Sequence, residues 1–256
     1  MPTPATAPAP DAPPALASAP APAPDWNAID SVFLDMDGTL LDLHFDNHFW
    51  LEHVPRRFAE ANGLSLETAT AAVLPRYQQV QGTLEWYCVD HWSRELGLDI
   101  ALLKAEVEHL IAVHPFVPAF LTALAARGKR RVLVTNAHQK SIAIKLQRTA
   151  LAGLLERVIC AHDLALPKEA PGFWARLAAI EPFDPARTLF IDDNLAVLRA
   201  AQAFGFRWLL AISAPDSRQP HRQIDEFPAI RDFSALLPGL GWDAAGPGLA
   251  DTKLTG

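Results

Sequence analysis

Only two cysteines, Cys88 and Cys160, occur in 256 residues, far apart and without a partner motif. That leaves no disulfide framework and no metal-binding cysteine pattern; two buried thiols in a reducing compartment are the expectation. No apolar run approaches the ~20 residues of a membrane helix. Long basic clusters are also missing. The densest, Lys129-Arg130-Arg131, sits where a helix should end, and the formal net charge is −7. A cation at a helix C-terminus explains that run, and binding to a nucleic acid or a membrane surface is not expected. Nine histidines are present, among them His44, His48, His53, His91, His109, His114, His138 and His162, yet their spacing marks no transition-metal site. His138 fits an ordinary first-turn residue.

Residues 1–24 lack aromatic and β-branched residues apart from Thr3 and Thr6 and are almost entirely Pro and Ala. Such a segment cannot bury enough apolar surface to offset the entropy of ordering, so a disordered arm is expected. It has neither the basic start nor the apolar core of a secretory signal. Residues 243–256 are expected to form a loose tail. The remainder, in a chain that is 50% hydrophobic and 20% charged, suits one α/β unit.

The run Ser31-Val32-Phe33-Leu34 reads as a buried parallel strand that ends in acids and a glycine. From residue 47 to 112 apolar residues recur at helical spacing, over 48–61, 65–80, 84–96 and 99–112, punctuated by Gly63, Gly82 and Gly97. Strands then alternate with helices: strands over 131–134, 157–160, 188–191 and 207–212, helices over 118–127, 139–150, 171–180 and 195–204. The predicted architecture is a Rossmann-like α/β core (25–46 and 113–242) with a parallel sheet, interrupted after its first strand by a helical insertion (47–112).

Ligands of such sheets sit beyond the carboxyl ends of the strands. The residues expected there are Asp35-Met36-Asp37-Gly38-Thr39, Thr135-Asn136, Lys168, and Asp192-Asp193-Asn194. Taken singly, each has an ordinary structural explanation: an acidic turn, a helix cap, a solvated lysine. Together they place four carboxylates on one edge, where like charges repel. A hard divalent cation such as Mg²⁺ would resolve the repulsion.

These motifs resemble the haloacid dehalogenase superfamily, in its phosphatase branch, from about residue 29 to 213. The resemblance implies a nucleophile at Asp35, a general acid/base at Asp37, and phosphate contacts from Thr135, Asn136 and Lys168. It implies Mg²⁺ held at Asp35, Asp37 and Asp192, with Lys168 neutralising charge. Thr39 would orient Asp37. Asp193 replaces the later acid of many members and could meet the metal, reach it through water, or hold Lys168. The helical insertion matches the family's type 1 cap. Phe45-Asp46-Asn47, Phe49-Trp50, Trp86-Tyr87-Cys88, Thr135–His138 and Pro167-Lys168-Glu169 resemble the bacterial GMP/IMP 5′-nucleotidases of this superfamily. That implies a purine nucleoside 5′-monophosphate as substrate, with Phe45, Asn47, His48, Trp50 and Trp86 as candidate cap contacts. A cytoplasmic enzyme, monomeric or a small homo-oligomer, is the expectation.

Among the alternatives, a sugar-phosphate or phosphoglycolate phosphatase would differ only in cap contacts. A phosphomutase shares the core and cap and differs mainly in how the cap treats the intermediate. A 2-haloacid dehalogenase needs neither Asp37 nor Asp192, and both argue against it. A non-catalytic binding protein on this fold would not need the full set of catalytic groups.

Overall fold

A computed structural model describes residues 24–243 together with 246 and 247. The expected N-terminal arm, apart from Pro24, and nearly all of the expected tail lie outside those residues. The core is a six-stranded sheet with spatial order β3-β2-β1-β4-β5-β6. Its strands are β1 (Ser31–Leu34), β2 (Arg130–Thr135), β3 (Arg157–Cys160), β4 (Thr188–Asp192), β5 (Trp208–Ile212) and β6 (Ala229–Ile230), and every neighbouring pair is parallel. The first five match the sequence expectation within a residue or two. β6 has two residues, too few to leave a periodic signature.

The strands are apolar on both faces because both are covered. Val32 and Leu34 of β1 join Leu133, Leu189 and Ile191 in one apolar cluster. Phe33, between them, points the other way and joins Val132, Val134, Ile159 and Phe190 in a second. β1 is central, with Phe33 opposite Val132 on one side and Phe190 on the other. Successive connections in each direction leave the carboxyl ends of β1, β2 and β4 side by side.

Between β1 and β2 lies the helical segment. It comprises α1 (His44–His48), a π-helical turn (Phe49–His53), α2 (Val54–Asn62), α3 (Leu66–Gln79), α4 (Leu84–Tyr87), α5 (Val89–Leu96) and α6 (Ile100–Glu106). α7 (Val117–Ala126) then returns the chain to the sheet, and α8 (Gln139–Thr149), α9 (Phe173–Ile180) and α10 (Leu195–Phe204) follow β2, β3 and β4. Two differences from the expected pattern matter for function. Helix begins at His44, earlier than expected, so the hinge residues are already helical. The helix expected over 84–96 is broken at Cys88, whose backbone is extended and whose sulfur accepts the His91 amide at 3.3 Å. Tyr77 packs edge to face with Trp50, Trp86 and Trp92, at ring-centroid distances of 4.8–6.2 Å, the geometry aromatic quadrupoles favour.

Candidate active site

Asp35 follows β1 directly, and its amide donates to the Ile191 carbonyl at 3.0 Å, so the sheet ladder itself fixes it. The chain then turns sharply. Gly38 has φ +85°, and a Cβ there would lie 2.8 Å from the Asp193 carboxyl carbon. Glycine is therefore required twice, for its backbone and for the approach of Asp193.

At the ends of β1 and β4, Asp35, Asp192 and Asp193 bring one carboxylate oxygen each within 4.8 Å of one another. All three are buried. Lys168, 2% exposed, reaches into this group. Its ammonium bonds Asp35, Asp192 at 2.7 Å and the Val134 carbonyl at 3.1 Å. Burial pushes Asp35 up to about 6 despite Lys168, and Asp192 adds to the rise. Asp192 also rises to about 6, through burial and the charge of Asp193. Asp193 rises to about 7, through burial and then Asp35, with Arg222 opposing. Burial disfavours the charge on Lys168, but Asp192 and Asp35 outweigh it and hold the ammonium protonated. Two cations, Lys168 within the group and Arg222 against Asp193 at its edge, thus face three carboxylates, a deficit of positive charge that a divalent ion fits.

The Asp37 side chain is 22% exposed and is held by Lys145 at 2.6 Å; the family resemblance groups it with Asp35 and Asp192 around Mg²⁺, and it lines the same cavity as both. Lys145, on α8, also bonds Asp46 at 2.6 Å, and Lys104, on α6, bonds the other oxygen of Asp46 at 3.1 Å. Burial disfavours ionised Asp46, yet the two lysines bring it down to about 2. Burial and the nearby Asp46 charge push Asp37 up to about 6, with Lys145 opposing. Thr39 does not hold Asp37: its hydroxyl is buried without a hydrogen-bond partner.

Asn136 fastens the second loop, accepting the Lys168 amide at 2.8 Å and donating to Glu169 at 2.8 Å. Tyr87 of α4 donates to the other Glu169 oxygen at 3.1 Å, tying the helical segment to the core. The Thr135 hydroxyl oxygen accepts the Ala137 amide at 3.0 Å, leaving its own proton free. Arg222 donates to the Asp193 carbonyl at 3.0 Å and carboxylate at 3.3 Å. Asp193 is therefore held by Arg222, with its carboxylate facing Asp35 and Asp192; Lys168 makes no bond to it.

Above these groups lies a cavity of about 440 Å³, with acids, Lys168 and Thr135 at its floor and Trp50, Tyr77, Trp86, Tyr87 and Trp92 along its wall. Of the candidate cap contacts, Asn47, Trp50 and Trp86 line it. Phe45 is buried beneath the Lys104 and Lys145 ammonium groups, and His48 pairs with Glu52 at 3.2 Å; neither lines the cavity. Sequence reading missed Lys145, Lys104, Asp46 and Arg222. A lysine on an amphipathic helix reads as solvated, and nothing local marks one that folds inward.

A family model for haloacid dehalogenase-like hydrolases matches residues 29–205, spanning all but the last strands of the sheet. The chain belongs to that family, and within it the enzyme is a phosphoric monoester hydrolase. It is 41% identical over 215 residues to the GMP/IMP nucleotidase YrfG of Escherichia coli (strain K12), covering 84% of this chain and 97% of that protein. It is 29% identical over 187 residues to a probable phosphoglycolate phosphatase of Pseudomonas putida, covering 72% of this chain and 73% of that one. The fold matches the crystal structure of a HAD phosphatase from Thermococcus onnurineus with a TM-score of 0.70 at 20% identity, over 83% of this chain and 98% of the other. Among the described residues, no helix is long and apolar enough to cross a membrane.

Proposed function

We propose that this protein is a Mg²⁺-dependent phosphatase of purine nucleoside 5′-monophosphates, GMP and IMP foremost, that works through a phosphorylated Asp35. The observation that carries the reaction is the buried Lys168 ammonium joined to Asp35 and Asp192, with Asp193 alongside. The donor set is all carboxylate oxygen, which suits magnesium; Asp35, Asp192 and Asp193 would hold the ion, which when bound withdraws charge from the phosphoryl oxygens.

In the first half-reaction an Asp35 carboxylate oxygen attacks phosphorus, the ester P–O bond breaks, and the leaving ribose oxygen takes the proton of Asp37. In the second, Asp37 takes a proton from water, the water oxygen attacks phosphorus, and the Asp35–phosphorus bond breaks. A carboxyl group tuned to about 6 can give and take that proton near neutral pH. The free Thr135 hydroxyl proton, the Asn136 amide and Lys168 neutralise the transferring group. The helical segment over 47–112 acts as the cap that excludes water and carries substrate contacts.

Two observations support the nucleotide. The relative sharing 41% identity is a GMP/IMP nucleotidase, and the cavity wall is aromatic, suited to stacking a purine. The test is phosphate release from a panel of monoesters at one concentration. GMP and IMP should lead. A sugar phosphate or phosphoglycolate exceeding every nucleotide by about tenfold in kcat/KM, worth about 1.4 kcal/mol of transition-state binding, would refute the substrate reading.

A further inference from the structure

We propose a second metal site in this protein, built from Cys88, His138 and His162, that takes a transition-metal ion of the zinc type and staples the helical segment to the core. One ligand atom from each residue lies within 4.8 Å of the other two. The three come from different parts of the fold: Cys88 from the break between α4 and α5, His138 from the cap position of α8, and His162 from the turn after β3. No local spacing joins them; the tertiary fold does.

Each ligand has features suited to an ion. His162 presents Nε2 as a buried ring nitrogen with no hydrogen-bond partner, a costly state that coordination removes. The Cys88 sulfur already accepts an amide hydrogen bond from His91 at 3.3 Å and lines, with His162, a second cavity of about 430 Å³ through which an ion can enter. His138 is the ligand that must adjust. Its Nδ1 accepts the Lys140 amide at 3.3 Å, and its Nε2 lies 3.7 Å from Asp90. Ligation through Nε2 moves the ring proton to Nδ1 and replaces that long capping bond. The Cys88 thiol gives its proton to solvent, so loading releases one proton. A zinc-type ion would take water as its fourth ligand; Asp90, 3.7 Å from His138 Nε2, is held by Lys140 at 2.5 Å.

One thiolate and two imidazoles select zinc-like ions over magnesium, whereas the three-carboxylate group does the reverse. The chain would therefore sort two metals by donor chemistry. The site also has leverage. Trp86 and Tyr87 immediately precede Cys88 and line the substrate cavity, while Asn136 lies two residues before His138 and lines it from the core. An ion here fixes one wall against the other, so loading should slow substrate entry and product release.

The test uses the full chain with saturating Mg²⁺ and titrates Co²⁺ as a spectroscopic stand-in. The expected result is one Co²⁺ per chain with a thiolate charge-transfer band. That band should vanish in Cys88→Ser, need far higher Co²⁺ to appear in His162→Gln, and persist in Asp35→Asn. Zn²⁺ should inhibit phosphate release by the parent and not by Cys88→Ser. No thiolate band in the parent, or equal Zn²⁺ inhibition of the parent and both variants, would overturn the site; the latter would assign inhibition to the catalytic carboxylates.

Discussion

Replacing Lys145 with Met tests how Asp37, the proposed proton carrier, is held. The Lys145 ammonium is 2% exposed and bonds Asp37 and Asp46 at 2.6 Å each. Lys104 is the other buried cation of this group and touches only Asp46. Two lysines balance two aspartates; without Lys145 one cation faces two buried carboxylates. Removing one member of a buried ion pair costs about 3–5 kcal/mol. Asp37 and Asp46 are 22% and 16% exposed, so water takes part of the load and the lower end, about 3 kcal/mol, is expected. In a chain of this size that lowers Tm by about 6–12 °C. Activity should fall further than stability explains. Asp37 loses the contact that fixes it, and misplacement by about 1 Å can cost about 100-fold in rate. The loss should appear in kcat, with KM little changed, because Lys145 holds Asp37, the proposed acid/base, and not the proposed phosphate contacts. Loss of the cation also pushes the Asp37 pKa further above about 6, moving the pH profile upward. The double variant Lys145→Met/Asp46→Leu separates the two effects. It leaves one cation, Lys104, and one carboxylate, Asp37, whose charges attract without contact, so stability should return toward the parent, a non-additive outcome, while kcat stays low. Thermal unfolding and steady-state phosphate release measure both. A single variant with parental Tm and kcat, or a double variant whose losses simply add, would refute the ion-pair reasoning.

Two further outcomes follow from the same geometry. Trp86→Leu should reduce kcat/KM for GMP more than for a small generic phosphoester, measured side by side; equal losses would mean that Trp86 only packs against Tyr77 and Trp92. Asp35, Asp192 and Asp193 have folded-state pKa values raised to about 6, 6 and 7 from an ordinary value of 3.8. The folded, metal-free protein therefore holds more protons than the unfolded chain between about pH 4 and 7, and this group's contribution to stability falls as pH rises through that window. Mg²⁺ competes with those protons, so the rise in Tm on adding Mg²⁺ should be larger at pH 7 than at pH 5. An equal rise at both, by differential scanning calorimetry, would contradict the assignment of these carboxylates.

The meeting of acids and Lys168 at the strand ends was legible in the sequence because the proposed chemistry dictates residue type. Asp35, Asp37 and Gly38 stand at the end of an apolar strand, and Lys168 and Asp192 meet them once five strands are read from alternation. The contacts that depend on tertiary packing were not. Lys145 and Lys104 lie on helices where lysine is ordinarily solvated, and only the folding of α6 and α8 onto Asp46 turns both inward. Thr39 was assigned the role that Lys145 performs. The break at Cys88 interrupts no apolar spacing, so 84–96 read as one helix, and with it went any sign that Cys88 faces His138 and His162. Phe45 and His48, flanking true cavity residues in sequence, turn away because α1 is already helical there and presents only one face to the substrate.

The central claim is that phosphate passes through Asp35. Enzyme mixed with GMP carrying a radioactive phosphate, quenched in acid within one turnover and digested, should yield label on the peptide containing Asp35. That label should be absent in Asp35→Asn and in excess chelator. Phosphate release at the parental rate by Asp35→Asn, or label on any other peptide, would contradict it.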